Sequence, residues 1–255
     1  MSSLKPLKKP QAKRSPVRRV SGKGNTAARR SPLPIFYALF GLLMVVGIIV
    51  LATRYFNGTP IAASTIPIDQ AVRPLSVPTG QTPEGYWYKG QADAPVTVIE
   101  FGDYQCPSCA VVFRQLEGAI DTDYVNTDKI KFVFHDFPLP MHPNAVPTAE
   151  GARCAGDQVQ YWAMHDVLYS RQSEWQGDSN VNARLKSYAG ELGLDTNAFG
   201  QCLDSDKYGQ AFQTAITDST QQGINGTPTY LVDGQQVDEN GLRGAIDAAL
   251  AAKGR

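Results

Sequence analysis

The 255 residues hold 24 Lys and Arg against 24 Asp and Glu, but ten of the bases and none of the acids lie in residues 1–34. The remainder therefore carries 14 bases against 24 acids, a net charge of −10, which argues against nucleic acid as the main partner. A content of 42% hydrophobic and 9% aromatic residues excludes a wholly disordered or collagen-like chain, and four cysteines are too few for a disulfide-dense scaffold.

Residues 1–34 are rich in Lys, Arg, Ser and Pro, lack any apolar periodicity and read as a disordered tail. From Ile35 to Thr53 no residue is charged, about the length a helix needs to cross a hydrocarbon core. The Leu, Ile, Phe and Val side chains in that run favour insertion by about 4 to 7 kcal/mol. A transmembrane helix is expected over 35–54. The bases before it and the single Arg54 just after it place the N-terminus in the cytoplasm and the rest outside the cell membrane. Val50-Leu51-Ala52 fits signal-peptidase cleavage, but the long basic lead and long apolar run favour an anchor. The basic lead reads as a topology signal rather than a lipid-binding tail. Residues 55–85 contain prolines at 60, 67, 74, 78 and 83 among Ser, Thr and Gly, and read as a linker.

A folded α/β domain is expected over 86–255. Val96 to Phe101 is a β-branched, nearly apolar run, as in a strand buried on both faces. After Gly102-Asp103-Tyr104-Gln105-Cys106, apolar residues recur at helical spacing (Val112, Phe113, Leu116, Ala119, Ile120), with Pro107 at the first helical position. Ile130 to His135 predicts a second strand, parallel to the first. Residues from about 145 to 222 carry helical periodicity and predict an inserted helical subdomain. Thr229 to Val237, turning at Asp233-Gly234, predicts a hairpin, and Leu242 to Ala252 a closing helix.

Cys106 thus sits at a helix N-terminus, where backbone N–H groups and the helix dipole lower a thiol pKa and favour the nucleophilic thiolate. Cys109 lies one turn further in, close enough to attack a mixed disulfide on Cys106. A metal site is the main alternative, but no second C-x-x-C or matching His pair lies nearby to complete a zinc set.

Glu100-Phe101, Cys106-Pro107-Ser108-Cys109 and Gly226-Thr227-Pro228-Thr229 together resemble the DsbA-like thioredoxin-fold disulfide oxidoreductases, bacterial extracytoplasmic enzymes. The resemblance covers about residues 86–255. It implies a thioredoxin-like fold with an inserted helical subdomain, here preceded by a single transmembrane helix. It further implies that Thr227-Pro228 is a cis bond lying against Cys106, where the Thr227 backbone meets a substrate strand. Glu100 matches the family's buried acid that moves protons for the inner cysteine, although a place at the sheet edge facing water remains open. The strongest oxidants of the family carry His between the cysteines. Ser108 brings no charge, so with Pro107 it tunes Cys106 to a less extreme pKa and an intermediate potential.

Outside the cytoplasm the spare thiols Cys154 and Cys202 are expected to bond, the alternatives being two buried free thiols or a second redox pair. His135, His142 and His165, with Trp162, Trp175, Tyr161 and Tyr169, read as packing or capping residues. Asp103 and Tyr104 either tune Cys106 or simply form its loop.

The functional expectation is an oxidase donating disulfides from the Cys106–Cys109 pair to reduced secreted proteins. By the resemblance it is reoxidised by a quinone-linked membrane thiol oxidase. No bound cofactor or metal is expected, because the cysteine pair carries the two electrons. The alternatives are a disulfide reductase or isomerase of the same fold, and a chaperone binding Cu(I) through the two thiols.

Overall fold

The structure, a computed structural model, describes residues 33–56 and 66–254. Residues 1–32 of the expected basic tail lie outside the described residues. The chain divides into two compact units, Met1–Pro60 and Ile61–Arg255.

The first unit holds one helix, α1 (Leu33–Phe56), of 24 residues. The side chains described continuously on it run from Leu39 to Val50 and are exposed. Among the described residues no helix is long and apolar enough to cross a membrane. The expected span over 35–54 depends in part on side chains outside them.

The second unit is built on a six-stranded sheet: β1 (Thr79–Gln81), β2 (Trp87–Lys89), β3 (Val96–Gly102), β4 (Ile130–Asp136), β5 (Thr229–Val232) and β6 (Gln235–Val237), in the order β1-β2-β4-β3-β5-β6. β3 pairs in parallel with β4, Val96 opposite Ile130 through Gly102 opposite Asp136; β5 runs antiparallel on its other side. The β5–β6 turn puts Asp233 and Gly234 at φ +46° and +85°, the two positive angles that a tight hairpin requires.

Alternation along the central strand decides where its side chains go. Val96 and Val98 enter the larger core with Phe132, Phe134, Tyr230 and Val232, and Glu100 has the same parity. Ile99 and Phe101 face a smaller cluster with Phe137, Ile224 and Leu231.

After β3 the chain enters a helical rod that is not uniform: α3 (Pro107–Val112), a π-helical turn Phe113–Glu117, α4 (Gly118–Ile120) and a second π segment Asp121–Val125. Between β4 and β5 come α5 (Ala145–Gly156), α6 (Tyr161–Ser170), α7 (Gln172–Trp175), α8 (Val181–Glu191), α9 (Thr196–Asp204) and α10 (Gly209–Gln221), and α11 (Leu242–Ala252) ends the fold. α9 starts where Asp195 accepts the amides of Asn197 and Ala198 at 2.9 and 3.0 Å, satisfying two otherwise orphaned donors.

The linker read over 55–85 is too long. Residues 66–85 belong to the folded unit: α2 (Ile68–Ala71) and β1 lie within them, and Ile66, Ile68, Val72, Leu75 and Val77 pack on the larger core. Ser170 Oγ donates to the Ala71 carbonyl at 3.0 Å. Prolines interrupt any helical or strand period here, so burial proceeds side chain by side chain and leaves no pattern to read.

Cys154 on α5 and Cys202 on α9 form a disulfide, 48 residues apart in sequence. Closing a loop of that size in the unfolded chain stabilises the fold by roughly 4 kcal/mol. The Cys154→Ala/Cys202→Ala double variant should lose about that much in urea unfolding. A midpoint unchanged from wild type would refute a stabilising role for the bridge.

Candidate active site

β3 delivers the chain into the loop Asp103-Tyr104-Gln105, and Cys106 follows as the N-cap of α3, with φ −67° and ψ 121°, Pro107 next. The loop is held from several sides. The Asp103 carboxylate accepts the Gln105 amide at 2.7 Å and the Leu139 amide at 2.9 Å, and meets His142 Nδ1 at 2.7 Å. Gln172 Nε2 donates to the carbonyls of Tyr104 and Cys106 at 2.7 and 2.9 Å. Gln105 donates to the Gln176 carbonyl at 2.7 Å and accepts the Asn144 amide at 2.6 Å. The helical subdomain thereby fixes the backbone that presents the first cysteine.

Both cysteines are free thiols, and they are not equivalent. Cys106 Sγ lies 3.5 Å from the carbonyl oxygen of Thr227, whose bond to Pro228 is cis. The Cys109 thiol, hydrogen-bonded to Cys106, lowers the Cys106 pKa to about 5 against the opposing effect of partial burial. Thr227 and the amides of Cys109 and Ser108 add to that lowering. Cys109 is fully buried, and burial pushes its thiol well up, with Cys106 and the charge of Glu100 adding to the rise. The pair is thus a thiolate at Cys106, 5% exposed, backed by a thiol at Cys109 with no exposure.

Alkylation of reduced protein by iodoacetamide should show its Cys106 midpoint near pH 5, instead of about 8.5 for a free cysteine. Because the folded-state value is the lower one, ionisation stabilises the reduced form fully above the unfolded pKa, and that contribution is lost as pH falls through about 5. An alkylation midpoint near 8 would contradict the geometry.

Glu100 is 3% exposed, which removes the water-facing alternative. Burial, then the neighbouring Glu117 charge, pushes its carboxyl well above the ordinary value; Lys89, a Tyr230 hydrogen bond and Arg73 pull the other way. Its charge is one of the influences that raise the Cys109 thiol.

The structure also contains a buried ionic network absent from the reading of the sequence. Lys89, 1% exposed, bonds Glu117 at 2.7 Å and Asp121 at 2.6 Å, with its ammonium 5.0 Å above the Phe132 ring and 4.7 Å from that of Trp162. Arg73 bridges Glu117, Asp121 and Asp166 at 2.9, 3.2 and 2.8 Å. Burial alone would raise the Glu117 pKa, but Arg73 and Lys89 hold it well below the usual carboxylate range. One signal was available: Cys109, Phe113 and Glu117 follow at i, i+4 and i+8, which puts an acid on the buried stripe of the active helix. Glu117, His165 and Asp166 have metal-donor chemistry among the described residues, yet Arg73 and Lys89 already neutralise the carboxylates, so the set does not fit a cation.

The remaining histidines and aromatics pack. His135 stacks on Tyr86 with ring centroids 3.9 Å apart, and burial lowers its pKa to about 4. His165 lies among Tyr104, Phe113, Phe134 and Trp162. Tyr161, Trp162 and Trp175 are core residues.

A thioredoxin family model matches residues 81–251. A Na(+)/H(+) antiporter NhaA 1 of Salinispora arenicola is 33% identical over 195 residues, covering 75% of this chain and 28% of the antiporter. A protein named as a protein-disulfide oxidoreductase in Rickettsia typhi is 29% identical over 167 residues, 63% of this chain and 60% of that protein. This chain thus spans only a part of the relatives it matches. The crystal structure of oxidised BdbD from Bacillus subtilis aligns with a TM-score of 0.60 at 24% identity, covering 69% of this chain and 98% of that one, a likeness of fold. With the matched region spanning β1 to α11 and the paired cysteines at the start of α3, the chain belongs to the thioredoxin family and has the fold of its DsbA-like thiol-disulfide oxidoreductases.

Proposed function

We propose that the chain is a membrane-anchored disulfide oxidase acting outside the cytoplasm. The observation that carries the reading is the asymmetric pair: a thiolate at Cys106 beside the cis Thr227-Pro228 bond, and a thiol held protonated at Cys109. A thiolate this stable favours the reduced form of the pair and leaves readily from a mixed disulfide, which makes the Cys106–Cys109 disulfide a ready donor.

In that reaction a client thiolate attacks Cys106 Sγ. The Cys106–Cys109 bond breaks, and Cys109 leaves with the electron pair and takes a proton from Glu100. A second client thiolate then attacks the client sulfur of the mixed disulfide, forming the client's disulfide and releasing Cys106 as a thiolate. Thr227, whose carbonyl faces Cys106, is positioned to pair with the client backbone. Clients are reduced secreted or surface proteins, and a quinone-linked membrane thiol oxidase restores the disulfide. The 35–54 span anchors the enzyme with its N-terminus in the cytoplasm, which keeps it near such a partner.

The test is to equilibrate the full-length chain in detergent with glutathione buffers, alongside an assay of disulfide transfer to a reduced unfolded protein. An oxidase should give a potential above about −180 mV with rapid transfer. A value near about −270 mV with poor transfer would replace it with a reductase. Stoichiometric Cu(I) binding without exchange would replace it with a metal chaperone.

A further inference from the structure

Tyr169 carries a hydroxyl that packing does not account for. The residue sits near the end of α6, fully buried, its ring stacked on Phe113 at 5.3 Å and tilted against Tyr104 at 4.9 Å. Its oxygen has no hydrogen-bond partner among the described residues. Buried tyrosine hydroxyls normally find one, and an unpaired one costs stability that phenylalanine in the same space would not.

Its surroundings point to an intermittent partner. Phe113 lies one turn after Cys109 on the same face of the active helix, so a ring stacked on Phe113 runs beside the inner cysteine. The hydroxyl end lies over Gly102, where an added Cβ would stand 3.0 Å from the oxygen. Gly102 sits between Glu100 and Asp103, and the Asp103 amide bonds the Cys109 sulfur. The hydroxyl thus lies against Gly102, next in the chain to the Asp103 amide that bonds the Cys109 sulfur. Burial, and then the charges of Cys109 and Glu100, push its own ionisation well up, so the group stays an O–H donor.

We infer that Tyr169 is the hydrogen-bond donor to the Cys109 sulfur whenever that sulfur is a thiolate. The inference rests on the disulfide-exchange reading above. When a client or glutathione thiolate attacks Cys106, a bond forms to Cys106 Sγ and the Cys106–Cys109 bond breaks. The departing electron pair stays on Cys109, and Tyr169 donates to this thiolate until Glu100 delivers its proton. In the dithiol form the Cys109 sulfur is already protonated and the hydroxyl idles. That matches its unpaired state beside two free thiols.

The test is Tyr169→Phe in the full-length protein, prepared as the disulfide and mixed with reduced glutathione. Acid quenching, alkylation and mass spectrometry then follow the mixed disulfide. The first exchange step should slow by about tenfold, as expected for losing a charge-assisted hydrogen bond, while the melting temperature stays level or rises. A second readout separates this from loosened packing. In a Cys106→Ala background the Cys109 thiolate absorbance should titrate about one pH unit higher when Tyr169→Phe is added, whereas admitting water would move it lower. An unchanged exchange rate, or a lower titration midpoint, overturns the inference while the oxidoreductase reading stands. A wild-type chain that does not exchange with glutathione overturns both.

Discussion

A Cys106→Ser chain will transfer no disulfides above background, and a Cys109→Ala chain will accumulate long-lived mixed disulfides with its clients. In the proposed exchange the two outcomes differ because the cysteines differ in ionisation and burial. With a pKa of about 5, Cys106 is roughly 99% thiolate at pH 7, and it is the sulfur beside the Thr227 carbonyl. Cys109 is sealed beneath it with no exposure, so a client cannot reach it directly. Removing Cys106 removes the only point of entry; removing Cys109 leaves entry open and takes away the sulfur that reverses it. Non-reducing electrophoresis of cells making each variant would show this as adducts that collapse with dithiothreitol. Adducts on Cys106→Ser, or their absence on Cys109→Ala, would invert the assignment.

Lys89→Met will destabilise the folded unit by about 3 to 5 kcal/mol, the cost of leaving buried charge without its partner. Methionine keeps most of the aliphatic stem between Phe132 and Trp162, so the loss isolates the ammonium. Glu117 and Asp121 would then share Arg73 alone. Against a total stability of about 5 to 15 kcal/mol this is a large fraction, readable as a lower urea midpoint at unchanged slope. Adding Glu117→Gln should recover part of it, since one stranded carboxylate disappears. A single variant as stable as wild type would mean that water reaches the network. Lys89 also opposes the rise of the Glu100 pKa. In Lys89→Met any step that uses the Glu100 carboxylate as a base should move to higher pH.

The elements legible in the sequence are those whose cause is local. The apolar run at Val96, the Pro107 start of α3, the Asp233-Gly234 turn and the bounds of α11 each follow from residues adjacent in the chain. The pairing of Cys106 with Cys109 is legible for the same reason, their spacing being one helical turn. What was not legible depends on distant contacts. Arg73 meets Asp166 across 93 residues and Lys89 meets Glu117 across 28, and charges in a proline-rich stretch give no period to mark them as buried. β1 and β2 are three residues each, too short to alternate visibly. The π turns Phe113–Glu117 and Asp121–Val125 interrupt the α-helix without breaking the buried stripe of Cys109, Phe113 and Glu117, so the apolar spacing carries no sign of them.

The hydrogen bonds that Gln172 makes to the Cys106 loop have a temporal consequence for a chain made from its N-terminus. Gln172 follows Cys106 by 66 residues and Thr227 by 121, so the reactive cysteine emerges long before the groups that shape it. A short isolated helix such as α3 is not stable in water on its own, and until the later segments dock, Cys106 behaves as an ordinary thiol that is largely protonated and slow to exchange. Cys106 therefore acquires its reactivity last, as a property of the finished fold.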